Sequence, residues 1–243
     1  MNNYKYNPNF MPLQYPDYCG TTCFMWILNY FWWTNFNPKD TWDMAKLASL
    51  WKYKFNDEWY ETSLVEVEFA YALCRLGFYV EIFSWLKENE FKSLLENPEL
   101  VKNYLNPKLH KFIKWNTWIE WRFKRDIFDK NLYKKILKEK VKINFLKENH
   151  EKEIVDFIKN NQWEDVLFMV WLNYNVLYDV KDPDERYSWW HIVVCKSYKD
   201  GKFEIYDPLK VKNPVFIDKD KFVKAIVDFW FYEIVLVKNV ENK

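Results

Sequence analysis

Three observations predict an α+β fold. Helical signals dominate the first third of the chain, apolar strand-like runs dominate the last, and a tight Lys199-Asp200-Gly201 turn joins two of those runs into a hairpin. The stretch CFMWILNYF is continuously apolar and predicts a buried helix over about residues 20–30, stopped by the turn TNFNP. A second helix should begin near Pro38 and carry Met44, Leu47 and Leu50 on one face. A third should start at Ser63, where Ser63-Leu64-Val65-Glu66 forms a capping box, and end at Gly77. Residues 78–84 alternate like a strand, whereas residues 87–140 are lysine-rich with short apolar repeats and read as solvated helices and loops. A helix over 152–160 then leads into strands at 166–172, 192–198 and 203–206, a helix at 219–229 and a last strand at 232–237.

At 243 residues and 49% hydrophobic, the chain can bury one substantial core. The expected organisation is a single domain, with a helical lobe over 14–85, a lysine-rich insert over 87–140 and a sheet lobe over 141–238. Lysine and arginine (36) nearly balance aspartate and glutamate (35), and a net charge of +1 gives no general case for a nucleic-acid partner. No basic region followed by an apolar run opens the sequence and no stretch is long enough to span a bilayer, which predicts a cytoplasmic protein without membrane insertion. Cys19, Cys23, Cys74 and Cys195 are scattered, so reduced thiols are expected. Cys19 and Cys23 share a helical face, but no second Cys/His pair at ligand spacing accompanies them, and no cofactor motif is present.

The composition has one anomaly. A chain of this length would ordinarily hold roughly 17 glycines, whereas this one has 3 glycines and 15 tryptophans. Trp32, Trp33, Trp59, Trp85 and Trp163 sit in turn-like contexts that would suit glycine. Many of these positions are therefore expected to be UGA codons read as glycine in the source lineage, the alternative being an aromatic-rich composition.

Two distant motifs, QYPDYCGTTC from Gln14 and WWHIVVCKSYKDGKFEIYDP ending at Pro208, supply the parts of a cysteine-nucleophile site. Cys19 falls where a loop enters the first helix, and a helix N-terminus stabilises a thiolate, as does a neighbouring imidazolium. His191 and Asp207 lie on adjacent predicted strands, where the histidine would serve as general base and the aspartate would fix its tautomer. Gln14 and the Cys19 backbone N–H could stabilise an oxyanion, one such donor typically contributing about 3 kcal/mol. Cys23, Cys74 and Cys195 fall in apolar runs and should pack, while His110 and His150 sit among charged residues on expected solvated faces.

Gln14, Cys19-Gly20, His191-Ile192-Val193-Val194 and Asp207-Pro208 resemble the bacteriocin-processing (double-glycine leader) peptidase-like family of papain-fold cysteine proteases. The resemblance runs from Gln14 to about Pro208 and leaves the lysine-rich middle divergent. It implies a papain-like fold in which the nucleophile helix packs on an antiparallel sheet. It also implies Cys19 as nucleophile, His191 as base, Asp207 as orienter, Gln14 as oxyanion donor, and a peptide or protein substrate. Trp189-Trp190 departs from the glycine common before the family's histidine, a departure that recoding would remove. The sequence leaves three other readings open: a thioester-forming acyltransferase, a catalytically inactive peptide-binding module, and a protein acting through its lysine-rich middle.

Overall fold

The computed structural model describes residues 19–32, 66–104, 128, 130–139, 141–181, 190–210, 212–228 and 232–240. Gln14, the helix expected from Pro38, most of the Ser63 capping box, Trp33, Trp59, His110 and Trp189 lie outside these residues. Helix α1 spans Cys19–Trp32 and α2 Glu66–Arg75; β1 (Tyr79–Ser84) follows a turn at Gly77, whose φ of 94° is the left-handed conformation that glycine adopts freely. Next come α3 (Glu88–Glu96), the short α4 (Val101–Tyr104), α5 (Lys130–Lys138) and β2 (Lys142–Phe145). The chain continues through α6 (His150–Asn161), β3 (Val166–Asn173), α7 (Tyr174–Tyr178), β4 (Trp190–Lys199), β5 (Lys202–Tyr206), β6 (Val215–Asp218), α8 (Lys219–Val227) and β7 (Glu233–Lys238).

The strands form one sheet in the order β2-β1-β7-β3-β4-β5-β6. It is mixed: β1 and β2 run parallel, which corrects the expectation of a wholly antiparallel sheet, and the other neighbours are antiparallel. The parallel pair follows from the excursion through α3, α4 and α5, which carries the chain back to the end from which β1 started. β3 is buried along its whole length, as a central strand covered on both faces must be.

Helices cover both faces. On one, α1 and α2 meet the sheet where a Cβ added to Gly20 would lie 2.8 Å from Ile192 and 2.9 Å from Phe69, and the Phe69 ring lies 6.2 Å from that of Trp171. On the other, Phe157 of α6 packs against Phe168 and Phe83, and Phe222 of α8 against Phe203. These contacts obey strand alternation, since Trp171 and Phe168 point to opposite sides of β3.

The lysine-rich region does not behave as a solvated insert where it is described. Phe91, Leu94, Val101, Phe128, Leu132, Tyr133 and Ile136 are buried, with Phe91 and Phe128 ringing Tyr133 at 5.0 and 4.6 Å. The lysines hold the outer face of amphipathic helices, and the sparse apolar repeats mark the inner one. His150 also departs from its expected solvated place: it is half-buried, with Nδ1 2.6 Å from the Tyr232 hydroxyl, and burial pushes its imidazole down. Among the described residues the left-handed positions are Gly77, Asp179, Asp200 and Gly201, with no tryptophan among them. Trp26, Trp85 and Trp171 are buried and Trp32 stacks on Phe78, whereas Trp163 is 67% exposed.

Candidate active site

Cys19 is the first residue of α1, so its thiol sits at the positive end of a helix whose first backbone N–H groups have no partner within the helix. Two contacts lock this end of α1 onto β4. Gly20 allows the close approach to Ile192, where any side chain would clash, and one turn further the Cys23 thiol donates to the Ile192 carbonyl at 3.3 Å. Burial, then the charges of Cys19 and Asp207, push the Cys23 thiol up, so it is a packed, protonated sulfur rather than a second nucleophile.

The neighbour of Ile192 is His191, 2% exposed, whose Nε2 lies 2.7 Å from Oδ1 of the fully buried Asp207. With Nε2 so engaged, Nδ1 is the nitrogen left for Cys19, whose nearness also raises the imidazole. Burial alone would depress the imidazole, but the hydrogen bond to Asp207, the nearby Cys19 and the charges of both hold it up at about 9. Asp207 moves the other way. Burial would raise it, yet donation from His191, the Tyr178 hydroxyl and the Leu209 N–H (2.7 Å) keeps it below the usual carboxylate range. The pair is therefore an imidazolium and a carboxylate at neutral pH.

A β-bulge makes this pairing possible. From Lys199↔Lys202 to Ser197↔Glu204 the β4–β5 register is regular; it then slips by one, so that Cys195 faces Ile205 and Val194 faces Tyr206. Continued one residue, the slipped register sets Asp207 opposite Val193, which shares a face with His191; the unslipped register would set it opposite Val194, on the other face. Lys196 is the bulged residue, and its ammonium is gathered by the Trp163, Glu164 and Val166 carbonyls at 3.1, 2.7 and 3.2 Å and by the Tyr30 hydroxyl at 3.0 Å.

The turn after β5 is equally fixed. The Asn213 side chain accepts from the Asp207 N–H at 2.8 Å and donates to the Asp207 and Lys210 carbonyls at 3.1 Å. Sequence reasoning missed α7, which brings Tyr178 to Asp207 and sets the Tyr174 ring edge-on to His191 at 5.2 Å. Its start was marked by Asn173, whose side-chain oxygen accepts from the Asn175 and Val176 N–H groups. Of the expected site residues, the structure brings Cys19, His191 and Asp207 together; Gln14 lies outside the described residues. The described part of the chain gathers no set of three His, Cys, Asp or Glu side chains able to hold a metal ion. None of its helices is long and apolar enough to cross a membrane.

No protein-family model matches the chain, and no curated protein does. A solved structure from Bacillus anthracis, provisionally assigned as a C39-like peptidase, is 24% identical over 36% of this chain and 47% of its own, with a TM-score of 0.27. The match thus spans about half of that protein, and a likeness this partial carries no weight for fold or function. The α+β architecture with its seven-stranded mixed sheet rests on the chain's own geometry.

Proposed function

We propose that the chain is a papain-like cysteine peptidase that cleaves peptide bonds through a thioester on Cys19. The observation that carries this reading is the buried His191–Asp207 pair, bonded at 2.7 Å, with Cys19 at the start of α1 close enough to raise the imidazole. A sulfur at a helix N-terminus, beside the imidazolium, is placed to act as the nucleophile. Attack of Sγ on a peptide carbonyl gives a tetrahedral oxyanion. Its collapse expels the amine, which takes the proton from His191, and leaves the thioester. Water, deprotonated by the now neutral His191, then attacks the thioester and releases the acid and free Cys19. A backbone N–H at the start of α1, which has no partner within the helix, is suited to one oxyanion contact, and the Gln14 side-chain amide is assigned the other.

The test is the rate of Cys19 alkylation by iodoacetamide across pH 4 to 9, with Cys23, Cys74 and Cys195 as internal references. The expected result is selective reaction of Cys19 at neutral pH that is lost in His191→Ala, followed by peptide cleavage in a fluorogenic library that is lost in Cys19→Ala. Alkylation of Cys19 no faster than that of Cys74, with peptide binding that survives Cys19→Ala, would instead identify an inactive binding module. Faster thioester turnover with an added amine than with water would identify an acyltransferase.

A further inference from the structure

We infer that Tyr178 is a positioning residue for the His191–Asp207 pair: its hydroxyl fixes which carboxylate oxygen faces the imidazole and limits how strongly Asp207 holds the imidazolium. The assignment deepens the peptidase reading and rests on it for its catalytic meaning, though not for its geometry.

Asp207 has two oxygens and they do different work. Oδ1 takes His191 Nε2 at 2.7 Å and the Leu209 N–H at 2.7 Å, while Oδ2 takes the Tyr178 hydroxyl. Without Tyr178, Oδ2 would be a buried anionic oxygen lacking the partner seen here, and the carboxylate could turn to exchange its oxygens before the imidazole. Burial and then the Asp207 charge push the Tyr178 phenol far above its ordinary range, so it is a permanent donor rather than a second base.

The tyrosine is itself held in place. The Lys210 ammonium lies 3.5 Å from its ring centroid, a cation–π contact that withdraws electron density from the phenol and strengthens its donation. Asn173 caps α7 at one end and donates to Asp228 at 3.0 Å, and Asp179 closes the other end with φ at 52°. Among the described residues, the titratable groups facing the pair are Cys19 and Cys23 of α1 and Tyr174 and Tyr178 of α7, with Lys210 beyond β5 set over the two tyrosine rings. On α8, Lys221 is turned to Asp179, and Asp228, the residue after that helix, is turned to Asn173.

A carboxylate that gives part of its charge to a phenol has less to offer an imidazolium. Replacing Tyr178 by phenylalanine should therefore raise the proton affinity of His191. The measurement is a side-chain NMR titration of the histidines in the full chain, which has three, with His191 identified from its loss in His191→Ala. Tyr178→Phe is expected to move the His191 midpoint upward by about 0.5 to 1 pH unit, a three- to tenfold change in proton affinity. It should also lower the maximal Cys19 alkylation rate, because the ring is less firmly oriented. A folded Tyr178→Phe protein whose His191 titration is unchanged overturns the assignment.

A second measurement needs no substitution. The Tyr178 hydroxyl proton should exchange slowly in the unaltered protein, with a shift that follows the His191 titration. A rapidly exchanging hydroxyl that ignores His191 overturns the assignment equally, even where the phenylalanine variant fails to fold. An inert Cys19 in the unaltered protein would remove the peptidase reading and leave both NMR results interpretable.

Discussion

Asp207 and Glu233 are both buried carboxyl groups on the same sheet, and the fold treats them in opposite ways. Asp207 is met by an imidazole, a phenol and a backbone N–H, and lies below the usual carboxylate range. Glu233, 3% exposed at the start of β7, takes a hydrogen bond from the Tyr133 hydroxyl, and its Oε2 has no well-formed hydrogen bond among the described residues. Burial pushes Glu233 up to about 7 against the opposing pull of Tyr133 and Ser84. Removal from water is common to the two, so it does not decide which becomes an anion. The number of donors decides, together with whether one of them can carry a full charge. Glu81, beside the sheet's edge on β1, is a third case: Tyr79, Asn144 and Lys142 donate to it at 2.5, 2.8 and 3.0 Å, and outweigh its burial to pull it down.

The largest effect expected from breaking this contrast is at the site. Asp207→Asn should lower peptide hydrolysis by about a thousandfold or more, by analogy with loss of the orienting aspartate in serine-protease triads. It should also bring the alkaline limit of peptide hydrolysis down from about 9, where His191 loses the proton it must give the leaving amine, because the anion that supports the imidazolium has gone. A full-strength, unshifted pH profile in that variant would show that Asp207 is only structural.

Next in size is Glu233→Gln. A carboxyl raised from 4.5 to about 7 contributes stability that is complete below pH 4.5 and lost as pH rises through 7. At 1.36 kcal/mol per unit this loss is about 3 kcal/mol. Denaturant unfolding at pH 5 and pH 8 should therefore show the unaltered protein weakening at the higher pH and Glu233→Gln weakening much less. An equal pH dependence in both would mean that Glu233 stays ionised through another partner.

The smallest effect belongs to Glu81→Gln, where the lost interactions join β1 to the edge strand β2. About 1 kcal/mol is expected at pH 7, with the difference fading as the pH is lowered through the carboxylate range, because the depressed group's contribution is present only above it. A loss as large as that of a core truncation would sink the ranking.

Asp207's side of this contrast was legible in the sequence, whereas Glu233 and Glu81 carry no motif that marks them, and what else stayed hidden has a physical reason. The helix at Cys19, strands β3 to β5 and the Asp200-Gly201 turn are long or sharply punctuated, so periodicity and turn chemistry reveal them. Cys19, His191 and Asp207 followed from residue type and order. The register that makes the last two neighbours did not, because a bulge at Lys196 leaves no signature beyond a lysine inside an apolar strand. Five residues, YNVLY, are too few for a helical period, so nothing beyond the strand expected over 166–172 marks α7 and its two tyrosines. β2 and β6 are four residues each and are held by pairing rather than by pattern. Of the described tryptophans in turn-like contexts, Trp32 stacks on Phe78 and Trp85 is buried, whereas Trp163 is largely exposed.

Cys23 and Cys195 are wholly buried, Cys19 keeps 9% exposure and Cys74 on α2 is partly exposed, so replacing Cys74 leaves Cys19 as the most accessible thiol. In a Cys74→Ser background, each mole of fluorophore taken up under native conditions would report one assembled catalytic corner. Dye per protein would then serve as a census of competent molecules in a preparation, available before any substrate has been found.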